Sequence, residues 1–171
     1  MNRVIIAKSA KETKKIAVRV AGEILKSSFF APPSQTLRRA GKATKDRKKA
    51  VVIGLIGDLG SGKTVFTQGF AKGLGIKENV TSPTFVLERV YKLKAKTYKL
   101  FIHIDAYRIE KSKEIADLGF KDLIQNPRNI VLIEWADKIK SILPKDYIKI
   151  RFKHINKNKR EIAIWKNKKK F

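Results

Sequence analysis

No cysteine occurs in the 171 residues. That excludes a disulfide framework and a thiolate metal site, and it suits a reducing compartment. Long apolar runs are missing as well. The start, MNRVIIAKSAKETKK, has only a four-residue apolar run, Val4 to Ala7, before the lysines begin. That is too short for the core of a signal peptide. Nothing approaches the ~20 apolar residues needed to cross a bilayer. The expectation is a soluble, cytoplasmic protein that does not meet a membrane. Acidic residues are scarce too: 15 stand against 40 basic ones, for a net charge of +25.

The basic excess is uneven. Residues 36–50, TLRRAGKATKDRKKA, carry seven basic residues and one acidic, and residues 151–171 carry nine and one. Fields of this kind attract phosphate backbones and raise association rates. A composition rich in lysine, isoleucine and asparagine for its own reasons gives the same tally, so charge alone is not a recognition motif. Both readings stay open at this point.

Against these absences stands enough apolar sequence, 43% of residues, to bury a core. The length fits one domain, expected over residues 1–165. Within it, residues 26–49 read as a loop insertion holding Pro32, Pro33 and the first basic cluster, and residues 166–171 read as a frayed basic tail. SAKETKKIAVRVAGEIL, residues 9–25, predicts a helix: Ser9 and Glu12 form a capping box, and Ile16, Val20 and Ile24 share one face. AVVIGLIG reads as a strand covered on both faces. The run from Gly62 to Ile76 continues as a helix with Val65, Phe66 and Phe70 toward the core, and Gly73 and Gly75 as stop signals. TFVLERVYKL and KTYKLFIHID read as two strands, and Ile130 to Ile133 as another. ADKIKSIL is a short helix ending before Pro144. YIKIRFKHI and REIAIW form an antiparallel hairpin.

Gly57, Gly62, Lys63 and Thr64 satisfy G-x-x-x-x-G-K-[ST], with a strand before and a helix after. Glycines let successive N–H groups turn inward around phosphate oxygens. The helix that follows points its positive end at the same anion. Lys63 suits the β- and γ-phosphates, and the Thr64 hydroxyl suits Mg²⁺. Hydrolysis needs a further acid. Parallel strands deliver their C-terminal ends to the edge where such a loop lies. Asp105 in FIHIDAYR and Glu134 in IVLIEW end apolar strands there. Each interrupts an apolar or aromatic stretch, so each must meet a cation or hydrogen-bond donors. His103 falls on the strand face of Asp105 and reads more simply as a packed structural histidine. Arg108 reads as an ion-pair partner, His154 as an exposed hairpin residue and Trp165 as hairpin packing.

SAKETKKIA, GDLGSGKT, SPTFVL, HIDAYR, LGFKDL and IEWADKI…LP together resemble the TsaE (YjeE) family in order and spacing. The resemblance spans nearly the whole chain apart from 26–49 and the tail. It implies an α/β fold: a P-loop NTPase-like three-layer sandwich with a mostly parallel central sheet and flanking antiparallel strands. It also implies a P-loop ATPase that uses ATP and Mg²⁺ and supports formation of threonylcarbamoyladenosine on tRNA. In the family the group transfer belongs to TsaD, paired with TsaB, using an adenylate made by TsaC or its Sua5-type relative. TsaE docks on the TsaD–TsaB pair, and its ATP hydrolysis permits repeated turnover. The tRNA is met through that complex, with direct contact open because of the basic charge.

By matching motif, the backbone of Asp58, Leu59, Gly60, Ser61, Gly62, Lys63, Thr64 and Val65 wraps the phosphates. Thr64 and Glu134 hold Mg²⁺. Thr84 in SPT senses hydrolysis from a switch segment, Asp105 lies near Mg²⁺ or the attacking water, and Trp135 lies near the nucleotide. Thr13 is an adenosine-side contact or a plain helix-surface threonine. Val65 departs from the family's second threonine, which implies weaker nucleotide binding. A small-molecule or nucleotide kinase on the same fold, and a nucleic-acid-binding module with a regulatory nucleotide site, are the competing functions.

Overall fold

A computed structural model describes residues 2–26, 49–83 and 87–166. The expected insertion and the tail therefore lie almost wholly outside the described residues, as does Thr84. One seven-stranded sheet runs through the rest. Its strands are β1 (Asn2–Ala7), β2 (Val51–Ile56), β3 (Glu88–Lys92), β4 (Leu100–Asp105), β5 (Asn129–Glu134), β6 (Ile148–His154) and β7 (Arg160–Lys166), in the order β1-β7-β6-β2-β5-β4-β3. The pairs β6–β2, β2–β5 and β5–β4 are parallel. The pairs β1–β7, β7–β6 and β4–β3 are antiparallel. The sheet is thus mixed: three of its six pairings are parallel, and the expectation of a mostly parallel sheet holds only for its centre.

β2, and β5 from Ile130 to Ile133, are apolar because both faces are covered. Val51, Ile53 and Leu55 meet α1 (Ala10–Lys26) and α2 (Lys63–Gly73) on one face. Val52, Val131 and Ile133 meet α3 (Ser112–Asp117), α4 (Phe120–Gln125) and a 3-10 helix (Ala136–Ile142) on the other. The α1–α2 contact needs a residue without a side chain. A Cβ on Gly69 would stand 2.5 Å from the Lys14 carbonyl oxygen, so only glycine lets the two backbones approach this closely. Ser9 caps α1 as expected, through the Glu12 N–H at 3.1 Å. The return half differs: the Glu12 carboxylate accepts from the Lys8 N–H, at 2.7 Å, and not from Ser9.

Four features depart from the sequence reading. β1 was not anticipated: exposed Val4 and Ile6 alternate with half-buried Ile5 and buried Ala7, so no long apolar run announces it. α3 and α4, six residues each, were also missed. ADKIKSIL winds as a 3-10 helix. Val65 is half-buried and turned away from the core that Phe66 and Phe70 enter. Among the described residues no helix is long and apolar enough to cross a membrane.

Candidate functional site

The parallel register sets the site. Asp105 of β4 lies beside Glu134 of β5, and Leu55 of β2 lies on the other side of Glu134. The C-terminal ends of three strands therefore share one edge, and the loop 57–62 leaves β2 at that edge to start α2. A Cβ on Gly57 (φ +149°) would stand 2.5 Å from the Phe152 carbonyl oxygen, and Gly62 (φ +100°) precedes the helix in a conformation that side chains disfavour. Asp58, Leu59 and Gly60 are exposed, while Ser61 is fully buried and its Oγ has no hydrogen-bond partner among the described residues.

Lys63 is 4% exposed. Its Nζ donates to the carbonyls of Gly57 (2.6 Å) and Asp58 (2.8 Å) and stands 3.7 Å from the centre of the Trp135 ring. Burial pushes the pKa of this amine down; Glu134, Asp105, Asp137 and Asp58 pull it back up. Trp135 is held in the left-handed region at φ +58°. That conformation costs a bulky residue ~1–3 kcal/mol. It turns the chain out of β5 and places the indole against the ammonium, a cation–π arrangement. Tyr107 packs on the same ring, with centroids 5.1 Å apart.

Glu134 is 1% exposed, and three donors compensate it. The Thr64 hydroxyl donates to Oε2 at 2.8 Å. The Thr67 hydroxyl meets Oε1 at 2.9 Å, and His103 Nε2 meets the same oxygen at 2.9 Å. Among the described residues His103 Nδ1 has no hydrogen-bond partner, which favours the tautomer with its proton on Nε2. Asp105, 3% exposed, accepts from the Ser82 hydroxyl and from the Tyr107 N–H at 2.9 Å. Both strand-end acids thus meet donors, as their apolar settings require. His103 is more than packing: it touches the acid of the site directly.

Two participants escaped the sequence reading. Ser82 ties the SPT segment to Asp105. Thr67 lies three residues after Thr64, one turn along the same face of α2, so both hydroxyls reach one carboxyl group. The signal was a threonine pair at that spacing behind the glycine loop. Thr67 has a single proton to give, and the carboxylate outcompetes the Lys63 carbonyl at 3.1 Å. Thr67→Val is expected to lower unfolding stability by about 1–3 kcal/mol, because it strips a donor from a buried acid. Thr67→Ser should recover most of the loss. Urea midpoints at unchanged slope measure this; a shift no larger than that of an ordinary surface substitution would show that Glu134 does not depend on Thr67.

Thr13 is neither a surface threonine nor free. It is 2% exposed, with its hydroxyl 3.3 Å from the Ser9 carbonyl. It lines a cavity of about 440 Å³ together with Gly60, Gly62, Val65, Asn158 and Arg160. The structure therefore joins Thr13 and Val65 at one side of the loop, while Lys63, Thr64, Asp105, Glu134 and Trp135 gather at the other. Among the described residues no three His, Cys, Asp or Glu side chains converge on a metal position. One carboxylate beside one hydroxyl suits a hard cation such as Mg²⁺, which takes one or two protein oxygens and fills its other positions with phosphate and water.

The model of the family described as threonylcarbamoyl adenosine biosynthesis protein TsaE matches residues 8–162. The chain belongs to the TsaE family. A TsaE relative from Bacillus subtilis (strain 168), named tRNA threonylcarbamoyladenosine biosynthesis protein, is 38% identical over 132 residues, 77% of this chain and 80% of its own. One of the same name from Rickettsia prowazekii (strain Madrid E) is 40% identical over 117 residues, 67% and 77% of the two chains. The crystal structure of Bacillus subtilis YdiB superposes with a TM-score of 0.67 at 28% identity, covering 96% of this chain and 84% of that one. TsaE membership agrees with the resemblance drawn from the motifs.

Proposed function

We propose that this protein is a Mg²⁺-dependent ATPase of the cytoplasm that supports threonylcarbamoyladenosine formation on tRNA, working with TsaD and TsaB to permit repeated turnover. The observation that carries the reading is the 2.8 Å contact between Thr64 and Glu134. It brings a hydroxyl at the end of a glycine loop onto a buried strand-end carboxylate, beside a lysine, and does so in a chain of the TsaE family.

The residues fit the group. The loop and the α2 N-terminus lie at the strand edge, where backbone N–H groups would serve an anion. Lys63 would leave its two carbonyls for the β- and γ-phosphate oxygens. Thr64 and Glu134 would hold Mg²⁺, which supplies charge neutralisation on the transferring phosphoryl group. Asp105, with one oxygen tied to Ser82 and the other to the Tyr107 N–H, would orient water. Thr84, two residues after Ser82 in the sequence, would sense hydrolysis. Thr13 and Val65 line the cavity where the nucleoside end would lie.

Reconstitution tests the reading. The protein is mixed with TsaD, TsaB, tRNA, threonine, bicarbonate, ATP and the adenylate-forming enzyme, and modified tRNA is counted per TsaD. Many turnovers are expected with the protein and about one without it. Unchanged turnover on omission would sink the proposal. Phosphate appearing on an acceptor, and not as free phosphate, would point to the kinase.

A further inference from the structure

Among the described residues, one half of the sheet is covered by helices on a single face. Ile148, Ile150 and Phe152 of β6 enter the core under α1 and α2, so Lys149, Arg151 and Lys153 project from the opposite face. All three are exposed. The core beneath α3, α4 and the 3-10 helix takes its strand residues from β2, β4 and β5, and none from β6, β7 or β1 among the described residues. Among the described residues helical cover thus stops at β2, and the outer three strands carry no helix on this face.

Register defines what that surface carries. Lys149 lies beside Trp165. Arg151 lies beside Ala163, which lies beside Val4, and Lys153 beside Glu161, which lies beside Ile6. Val4 is 63% exposed and Ile6 43%. Trp165 is half-buried, with the Lys149 ammonium 5.8 Å from its ring centre. The single acid on these rows is Glu161, and none of the three cations joins an ion pair among the described residues.

Three like charges on one strand face stand roughly 6.6 Å apart in succession and repel one another. A polyanion relieves that repulsion, and the spacing is close to that of successive phosphates along a nucleic-acid strand. The exposed aliphatic side chains and the indole beside them are out of place on a merely solvated face. They offer apolar contact to sugars and base edges, as sheet surfaces that bind RNA do. We propose that the β6–β7–β1 face binds tRNA directly, with Lys149, Arg151 and Lys153 on its phosphates. The choice of tRNA among polyanions rests on the function proposed above.

Binding of an unmodified tRNA transcript to the full chain is followed by fluorescence anisotropy, without nucleotide or partner proteins, across a salt series. Changing Lys149, Arg151 and Lys153 together to Gln should raise Kd at least ~10-fold at physiological salt. The slope of log K against log salt should become shallower by about 2–3, the value for three lost phosphate contacts. A control changes Lys113, Lys121 and Arg128 together to Gln, three exposed cations of the helical side, and should move Kd less than ~2-fold, as charges remote from the contact do. Equal losses in both variants would reduce the effect to overall charge and overturn the proposal. So would failure of the parent to bind tRNA, or a variant that keeps tRNA but loses anionic vesicles or TsaD–TsaB. If the first variant melts early, photo-crosslinking of the parent to thiouridine-labelled tRNA decides: adducts in β6–β7 peptides support the face and adducts elsewhere refute it. ATP hydrolysis of the same variant should be unchanged. A parent that binds tRNA through this face but does not hydrolyse ATP would end the proposed function and leave the RNA surface standing.

Discussion

Lys63→Ala is expected to reduce ATP hydrolysis and multiple-turnover tRNA modification at least ~100-fold, the scale seen when a charge-stabilising donor is removed from an active site, while leaving the fold intact. The two halves of that expectation have separate causes. Lys63 is buried, and desolvation opposes its charge more strongly than the surrounding acids favour it. Removing an ammonium held under those terms costs the folded state little. The carbonyls of Gly57 and Asp58 lose a donor, but they belong to a loop whose following residues, Leu59 and Gly60, are exposed, so water replaces it. The phosphoryl group has no such substitute, because the ammonium was the cation aimed along the loop. Lys63→Arg should not rescue: its planar fork is larger than the space between the loop and Trp135 and cannot act as a compact point charge. Phosphate release and thermal melting, measured on the same samples, check both halves. Hydrolysis that survives in Lys63→Ala would remove the loop from the chemistry.

The motif was legible because its physics is local. Glycines at Gly57 and Gly62, a lysine and a hydroxyl must follow one another in the chain to make the cradle, and they do. Asp105 and Glu134 were legible because an acid ending an apolar strand has few reasons to be there. β1 was not legible: its inward residues, Ile5 and Ala7, alternate with Val4 and Ile6 on the open face, and pairing with a strand more than 150 positions away leaves no trace nearby. α3 and α4 were hidden for another reason. At six residues each they owe their helicity to Ile115 and Phe120 packing on the sheet, because helices this short do not stand by propensity. Thr67 lay between, visible as a residue yet without meaning until Glu134 was placed opposite it. Val65 shows the reverse error. Apolar and next to Phe66, it read as core, but it turns toward the cavity that Thr13 lines.

Glu134 separates stability from catalysis, because alanine and glutamine should fail there in different ways. Glu134→Ala leaves the Thr64, Thr67 and His103 donors facing a buried gap at the C-terminal end of β5. Each buried donor left without an acceptor costs about 1–3 kcal/mol, so this variant should unfold well before the parent in urea. Glu134→Gln keeps the shape. Its amide oxygen can still accept from two donors, and its NH₂ can give to the remaining hydroxyl, whose proton is free to rotate. The stability loss should then fall to about 1 kcal/mol, the worth of a charged acceptor exchanged for a neutral one. Hydrolysis should not be recovered in step, because a neutral amide is a poor ligand for Mg²⁺, which prefers carboxylate oxygen. The expected pattern is a folded glutamine variant with at least ~100-fold slower phosphate release and a much higher Mg²⁺ requirement. A glutamine variant that hydrolyses ATP at the parent's rate and the parent's Mg²⁺ midpoint would leave Glu134 as the acceptor that orders Thr64, Thr67 and His103, and would move the metal elsewhere, with Asp105, its neighbour on β4, an acid left to hold it.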